Sequence, residues 1–494
     1  MPNVTVNGVV ISVEEETLVR DCLKTAKMAM PCGGRGICGK CKVTVTGAVS
    51  PLTDAEKDLL TQTDIDNGAR LACYTRIWGD CAIQPLMSEV VQIQTSAHSV
   101  VTADAARPFR FGVAIDVGTT TVAASLYDVA GRCLATATAV NPQVACGTDV
   151  LSRGQAASAG KGAELSVQIR TCIGDILRRL TASTHIETAH IGSVVVTGNT
   201  AMLCLLTQTA VDSLLKAPFK SRRCFGETVL ASECGLCELV GDTPVYLPRC
   251  LDAFLGADLV CAVLSTDMCD REGTSLLVDI GTNGEMALWH ENTLYVCSTA
   301  AGPAFEGVGV SCGTAAISGA IERVEIVNHS LFAHTIGGGL ATGICGSGLI
   351  DALACLLDLE ELDPDGTLSV ESFGVADSVR LTRSDVQSLT VAKSAIRSGM
   401  DALLYRAGIT AGDVEHLYLA GGFGNTLNLR NAVRIGLLPV ELEHKTTFIG
   451  NAALQGAAEL LFQPHGDSEL TWRKVELATD AFFAEAFIRN MRYD

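Results

Sequence analysis

FGVAIDVGTTTVAASLYDVAGRCLAT (Phe111–Thr136) and SLLVDIGTNGEMALWHENTLYVCST (Ser275–Thr299) are two versions of one unit. In each, an apolar run leads into Asp-x-Gly-Thr, a second apolar run follows, and a polar turn introduces a third. Asp116 aligns with Asp279, Gly118 with Gly281, Thr119 with Thr282 and Thr120 with Asn283. Short apolar runs punctuated this way predict strands, and the duplication predicts two related subdomains facing each other across a cleft. The turn has its own chemistry. Glycine lets a backbone approach phosphate, threonine hydroxyls and N–H groups bind its oxygens, and the aspartate holds Mg²⁺ through water. One such turn is common in hairpins; two in matching contexts are a much stronger signal. Gly118, Thr119, Thr120, Thr121, Gly281, Thr282 and Asn283 are therefore candidate phosphate-binding residues, with Asp116 and Asp279 as the acidic partners.

Downstream, LYLAGGFG (Leu417–Gly424) is an apolar strand running into a turn at Gly421, Gly422 and Gly424 that can admit an adenosine. Glu306 (AAGPAFEG) and Glu285 (DIGTNGE) are carboxylates beside the phosphate turns, suited to orienting water, and Glu306 is the preferred candidate. Gly343, Gly346 and Gly348 open a helix, either for tight packing or for direct nucleotide contact. No G-x₄-G-K-[ST] occurs, and the G-x-G-x-x-G at Gly34, Gly36 and Gly39 follows no strand.

The first 85 residues read differently. Val4–Asn7 and Val9–Val13 alternate around the hairpin turn Asn7-Gly8. Glu14–Met30 has helical spacing, Lys42–Thr46 reads as a strand, and Thr53 with Glu56 forms a capping box. Between them lies PCGGRGICGKCK, with Cys32, Cys38 and Cys41, and Cys73 follows in RLACYTR. Zinc ribbons pair two C-x₂-C knuckles, and only one is present here. The glycines let the backbone wrap closely and aim N–H groups at sulfur, as iron–sulfur sites require. Cys32, Cys38, Cys41 and Cys73 are the candidate ligands of a [2Fe–2S] cluster, and their spacing resembles the adrenodoxin-like branch of ferredoxins. Cys22 and Cys81 fall on apolar faces and read as core. Cys234 and Cys237 form a lone C-x₂-C, a weak metal signal.

Residues 86–110 separate this domain from the remainder at 111–494. The stretch from Thr95 to Arg110 lacks strand or helix periodicity, so it reads as a linker or as an irregular loop packed on a neighbour. Composition narrows the function classes. With 36 basic and 55 acidic residues the net charge of −19 argues against nucleic acid. The N-terminus lacks a basic, apolar leader, and the most apolar stretch, Ile191–Leu206, is broken by Thr197, Gly198, Asn199 and Thr200. A cytoplasmic protein that does not enter membranes is expected. Twenty cysteines without a secretion signal read mostly as small buried hydrophobes.

Two D-x-G-T hairpins and a late A-G-G-F-G turn resemble the actin-like ATPase superfamily. The fold this implies is an α+β ferredoxin-like β-grasp domain followed by an α/β actin-like ATPase domain of two ribonuclease-H-like subdomains. Joined to the cysteine loop, the motifs RLACYTR, DVGTTT, DIGTNGE, GPAFEG, GICGSGLID, AGGFGN and VELATDAFF resemble the reductive activators of corrinoid enzymes. That resemblance implies ATP and Mg²⁺ in the cleft and one-electron reduction of a corrinoid protein from Co(II) to Co(I). It also implies a corrinoid protein of a methyltransferase system as partner, with an electron donor such as reduced ferredoxin. Because the chain passes almost directly from linker to Asp116, the middle domain of longer family members is expected to be missing or much reduced. Two other readings stay open: a small-molecule kinase of the same superfamily, and an electron-transfer protein with a regulatory nucleotide site.

Overall fold

The computed structural model describes all residues except 7, 24–35, 37, 38, 40, 61, 86–98, 101–108, 148, 423–426, 464, 465 and 494, and the side chains of 63 and 469. The N-terminal domain is a five-stranded sheet of β1 (Asn3–Val6), β2 (Val9–Ser12), β3 (Lys42–Val49), β4 (Ala69–Leu71) and β5 (Ile77–Pro85), in the order β2-β1-β5-β3-β4. β1 and β5 run parallel and the other pairs antiparallel. Short helices α1 (Val19–Cys22), α2 (Asp54–Leu59) and α3 (Gln62–Asp66) cover it. Alternation along β5 buries Cys81 and Ile83 against Val4, Val43 and Cys22, so Cys22 and Cys81 are core residues as expected. The helix expected over Glu14–Met30 is found only as α1: Glu14–Leu18 form a turn and a bridge from Leu18 to Arg76 instead, and residues 24–30 lie outside the described residues.

The first repeat forms the hairpin β6 (Phe111–Val117), β7 (Thr121–Asp128) and β8 (Cys133–Val140). Helices α4 (Val150–Ala156) and α5 (Gly162–Thr184) lead to β9 (Ile191–Gly198), parallel to β6, and then to α6 (Thr200–Leu206). β10 (Glu227–Leu230), α7 (Cys237–Val240), β11 (Pro244–Leu247) and α8 (Ala257–Leu264) complete this half, whose sheet order is β10-β11-β9-β6-β7-β8. The second repeat forms β12 (Ser275–Ile280), β13 (Gly284–His290) and β14 (Thr293–Thr299). A smaller layer follows, comprising β15 (Ala320–Val327), β16 (Ser330–Thr335), β17 (Gly343–Ile344), β18 (Ser372–Ala376), β19 (Val379–Thr382) and α9 (Gly346–Asp358). Then come α10 (Arg383–Ala407), β20 (His416–Gly421), α11 (Leu429–Arg434), β21 (Thr446–Gly450), α12 (Ala452–Phe462), β22 (Trp472–Lys474) and α13 (Ala481–Arg489). The second sheet runs β21-β20-β12-β13-β14-β22. Each sheet thus has three antiparallel strands from its repeat and two parallel strands beside the first of them, β9 and β11 in one and β20 and β21 in the other, so the duplication read from sequence is a duplication of topology.

The halves exchange helices. Leu259, Ala262 and Val263 of α8 pack on Leu277, Ala287 and Tyr418 of the second sheet. Leu454, Ala457 and Leu461 of α12 pack on Ala114, Ala123 and Val195 of the first. The helices cross where Gly456 meets the backbone of Cys261: a Cβ on Gly456 would fall 1.7 Å from the Cys261 carbonyl oxygen. Val100 and Phe109 are also buried against α12, with the Phe109 and Phe462 ring centroids 5.9 Å apart. At these two points the segment between domains is packed onto the first sheet.

Gly456→Ala should therefore lower thermal stability by about 1–3 kcal/mol, the usual cost of overpacking. Thermal unfolding checks this, and an unchanged Tm would show that the crossing tolerates a side chain.

Candidate functional site

The chain reversal after β6 places Asp116 at the end of a central strand, in register with Thr197 of β9 and Ala123 of β7. Two asparagines reach this loop from distant segments. Asn451, which caps α12, donates from Nδ2 to Asp116 Oδ2 (2.9 Å). Asn199, which caps α6, donates from Nδ2 to Thr119 Oγ1 (3.2 Å). Thr120 is exposed, while Gly118, Thr119 and Thr121 are partly open.

The second loop is built alike. Asp279 ends β12, opposite Glu285 of β13 and Ala420 of β20. Gly421 is pressed against it: a Cβ there would lie 2.4 Å from the Ile280 carbonyl and 2.9 Å from Asp279 Oδ1. The Thr282 hydroxyl donates to Glu306, 3.2 and 3.0 Å from Oε1 and Oε2, and the Thr282 carbonyl accepts from Gly302. The Gly281 N–H donates to the Asn283 carbonyl (3.2 Å). Glu306 ends a short 3₁₀ turn, Pro303–Glu306, and the segment beyond it is tied to α10, since Asp385 accepts from both the N–H and the hydroxyl of Ser311 (2.6 Å each). Asp258, in the first turn of α8, interacts with both Asp279 and Glu285.

Five carboxylates, Asp116, Asp258, Asp279, Glu285 and Glu306, thus share one cleft. All but Glu285 retain some solvent access, although each lies deep in the protein. Burial pushes Asp116, Asp258 and Asp279 up to about 7, and for Asp279 the charges of Asp116 and Glu306 add to it. Glu285 and Glu306 are also raised, chiefly by burial. Like charges cannot all ionise in such a space, and a bound divalent cation reverses this. Among the described residues no three His, Cys, Asp or Glu side chains form a ready-made metal cage, here or around Cys234, which is buried, and Cys237, which is exposed. Mg²⁺ does not require one: it binds through one or two carboxylates, waters and substrate phosphates, so these residues fit it.

In the N-terminal domain Cys41 and Cys73 are buried with their sulfurs 3.2 Å apart, too far for a disulfide and close enough to share one metal ion. Gly39 has φ 63°, and a Cβ on it would lie 2.8 Å from the Leu59 carbonyl, so glycine is required beside the site. The Tyr74 hydroxyl donates to the Gly36 carbonyl (2.8 Å). Glu56, fully buried, closes the capping box with Thr53 and also accepts from Arg70, from the Leu71 N–H (3.1 Å) and from the Thr75 hydroxyl (3.2 Å), bracketing Cys73. Burial opposes its ionisation, but the Arg70 guanidinium and these donors hold it below the usual glutamate range.

Cys32, Cys38 and Gly424 lie outside the described residues. Gly348 packs against the Ile321 carbonyl, where a Cβ would fall 2.4 Å away, and Gly343 against the Thr314 side chain, where it would fall 2.7 Å away, so these two glycines are required by packing. The sequence reading missed Asp258, Asn199 and Asn451. Their signals were present: a lone acid in the apolar run LGADLV, and asparagines at helix starts in VTGNTA and IGNAAL.

Two predictions follow from the charges. A group whose folded pKa is raised stabilises the fold at low pH and loses that contribution as pH rises through the folded value. Asp279→Asn should therefore gain in Tm relative to wild type between pH 4 and pH 8 without Mg²⁺; a constant difference would mean that Asp279 titrates normally. Glu56 works in the opposite sense, since its lowered pKa contributes stability above 4.5 that is lost as pH falls. Glu56→Gln should cost about 3 kcal/mol at pH 7, because it breaks a buried pair, and progressively less below pH 4.5.

Residues 4–77 match a family described as a 2Fe-2S iron-sulfur cluster binding domain, 111–271 one described as RACo middle region, and 273–494 the C-terminal domain of RACo, the ASKHA domain. The expectation of a missing middle domain is thereby corrected: the region holding the first hairpin is itself the match to that middle region. The chain is 31% identical over 422 residues to the corrinoid activation enzyme RamQ of Eubacterium limosum, covering 78% of this chain and 70% of the relative. It is 27% identical over 384 residues to the [Co(II) methylated amine-specific corrinoid protein] reductase of Methanosarcina barkeri, covering 72% and 70%. A solved structure of a reductive activator for corrinoid,iron-sulfur protein superposes with a TM-score of 0.69 at 26% identity, over 100% of this chain and 98% of the other. On this fold, these matches and the paired sites, the chain belongs to the RACo family of corrinoid activators.

Proposed function

We propose that the protein catalyses ATP-dependent one-electron reduction of the Co(II) of a corrinoid protein to Co(I), with reduced ferredoxin or a similar carrier supplying the electron in the cytoplasm. The observation that carries this reading is the pairing, in one chain, of the buried Cys41–Cys73 sulfurs with a five-carboxylate cleft between two phosphate-type hairpins. Cys32, Cys38, Cys41 and Cys73 would hold the [2Fe–2S] cluster, which when bound supplies the one-electron carrier. Gly118–Thr121 contact the triphosphate through backbone N–H groups and hydroxyls, Gly281–Asn283 through the N–H groups of Thr282 and Asn283, and Gly421, Gly422 and Gly424 receive the adenosine. Asp116 and Asp279 would hold Mg²⁺, which when bound supplies charge neutralisation for the phosphates. Glu306, steadied by the Thr282 hydroxyl, orients the attacking water, and Asp258 with Glu285 keeps a proton inside the cleft. ATP is needed because each ~59 mV of unfavourable one-electron potential costs a factor of ten, about 1.4 kcal/mol.

The test is anaerobic spectroscopy of a Co(II) corrinoid protein at constant reductant, with ATP, a non-hydrolysable analogue, or no nucleotide. Co(I) should accumulate only with ATP. It should be absent with Cys73→Ser and with Asp116→Ala, and slowed by roughly 10²-fold with Glu306→Gln, the scale of a lost general base. Equal Co(I) without nucleotide would refute the reading. ATP turnover that ignores the corrinoid protein but responds to a small phosphoryl acceptor would favour a kinase instead.

A further inference from the structure

Beneath the first phosphate loop lies a residue that the proposed chemistry does not use. Arg153, in α4, is among the largest fully buried side chains of the protein. Its Nε donates to the Gly147 carbonyl (2.9 Å), and its Nη1 to Gln143 Oε1 (3.3 Å) and Met202 Sδ (3.2 Å). Its Nη2 donates to the Thr119 carbonyl. Asn141 flanks it: Nδ2 donates to the Gly118 carbonyl (2.9 Å) and the backbone N–H to the Thr120 carbonyl (2.8 Å).

We propose that Arg153, with Asn141, is a positioning residue for the triphosphate: it draws the carbonyls of the Gly118–Thr120 loop inward, so that the N–H groups between them face the nucleotide. The inference rests on reading the cleft as a Mg-ATP site. Three consecutive carbonyls, those of Gly118, Thr119 and Thr120, are held from the buried side. In a trans peptide the N–H following a carbonyl points the opposite way. The N–H groups of Thr119, Thr120 and Thr121 are therefore turned from the interior toward the side on which Thr120 is exposed. Successive N–H groups arranged in this way make an anion-binding concavity.

The choice of arginine adds a second effect. Hydrogen bonds to four neutral acceptors could be met by a neutral side chain, whereas a buried guanidinium is costly to desolvate. Among the described residues no carboxylate pairs with Arg153, and Asp149 acts on it only through space. Burial lowers its pKa to about 10, so it keeps its charge at neutral pH. That charge lies behind a loop facing five carboxylates, where a polyanion would otherwise be repelled, and low-dielectric surroundings strengthen its effect.

The experiment compares Mg-ATP and adenosine binding by calorimetry on the full chain, for wild type, Arg153→Lys and Gln143→Glu. Arg153→Lys keeps charge but cannot span the same acceptors. Gln143→Glu preserves shape, gives Arg153 a carboxylate partner, and serves where the first variant fails to fold. Each should weaken Mg-ATP roughly tenfold or more, the scale of a lost charged hydrogen bond, while adenosine binds as in wild type and the visible and circular dichroism spectra are unchanged. Wild-type ATP affinity in the variants, or equal loss of ATP and adenosine, overturns the inference and leaves the cleft reading standing. A wild-type chain that binds no Mg-ATP overturns both.

Discussion

The contact between Gly456 and the Cys261 backbone governs the rest of the ATPase-like region. Each half sends one helix across to cover the other half's sheet, and both helices can lie flat only if their axes nearly touch at the crossing. Small residues allow this: Ala457 and Ala458 of α12 and Ala257 and Ala262 of α8 are all buried. The exchange also delivers chemistry. α12 begins with Asn451 on Asp116, and α8 begins with Asp258 beside Asp279 and Glu285. Each D-x-G-T loop is therefore completed by a residue at the start of a helix that comes from the opposite half. A shift at the crossing would reach both loops together, which gives a domain motion a direct physical route to the site.

Electrostatically the cleft is unfinished without a ligand. Five carboxylates raised by burial, four of them also by neighbouring carboxylates, define a space that favours a cation. In the proposed reading the loops that line it present backbone N–H groups, which favour an anion. A metal–polyphosphate complex satisfies both demands at once, which neither a free anion nor a free metal ion does. The buried cation behind the first loop has the same logic, adding positive charge where the net charge of the chain, −19, is adverse.

The N-terminal domain solves a different problem with one carboxylate. Glu56 closes the capping box of a short helix by local rules, and its Oε1 accepts from the Leu71 N–H and the Thr75 hydroxyl on either side of Cys73. A proposed cluster ligand contributed from far along the chain needs such a brace, because its partner Cys41 sits 32 residues away. Local helix capping and long-range ligand placement are thus carried by the same buried ion pair with Arg70.

Several features were legible from sequence because they are local. The apolar runs of β6 and β12, the chain reversals at the D-x-G-T motifs and the Thr53–Glu56 box are properties of neighbours along the chain, and they fold as read. Asn451, which meets Asp116 across 335 positions, was invisible because an asparagine at a helix start already has a sufficient local explanation as a cap. Asp258 was hidden by its apolar surroundings, and Arg153 by its place in an ordinary amphipathic helix. Sequence by itself determined the elements, the duplication and the identity of the chemistry-bearing turns, because these follow from spacing and side-chain type. Only the tertiary structure decided which distant side chains complete each turn and how strongly the carboxylates perturb one another, because both depend on where helix exchange places groups in a low-dielectric cleft.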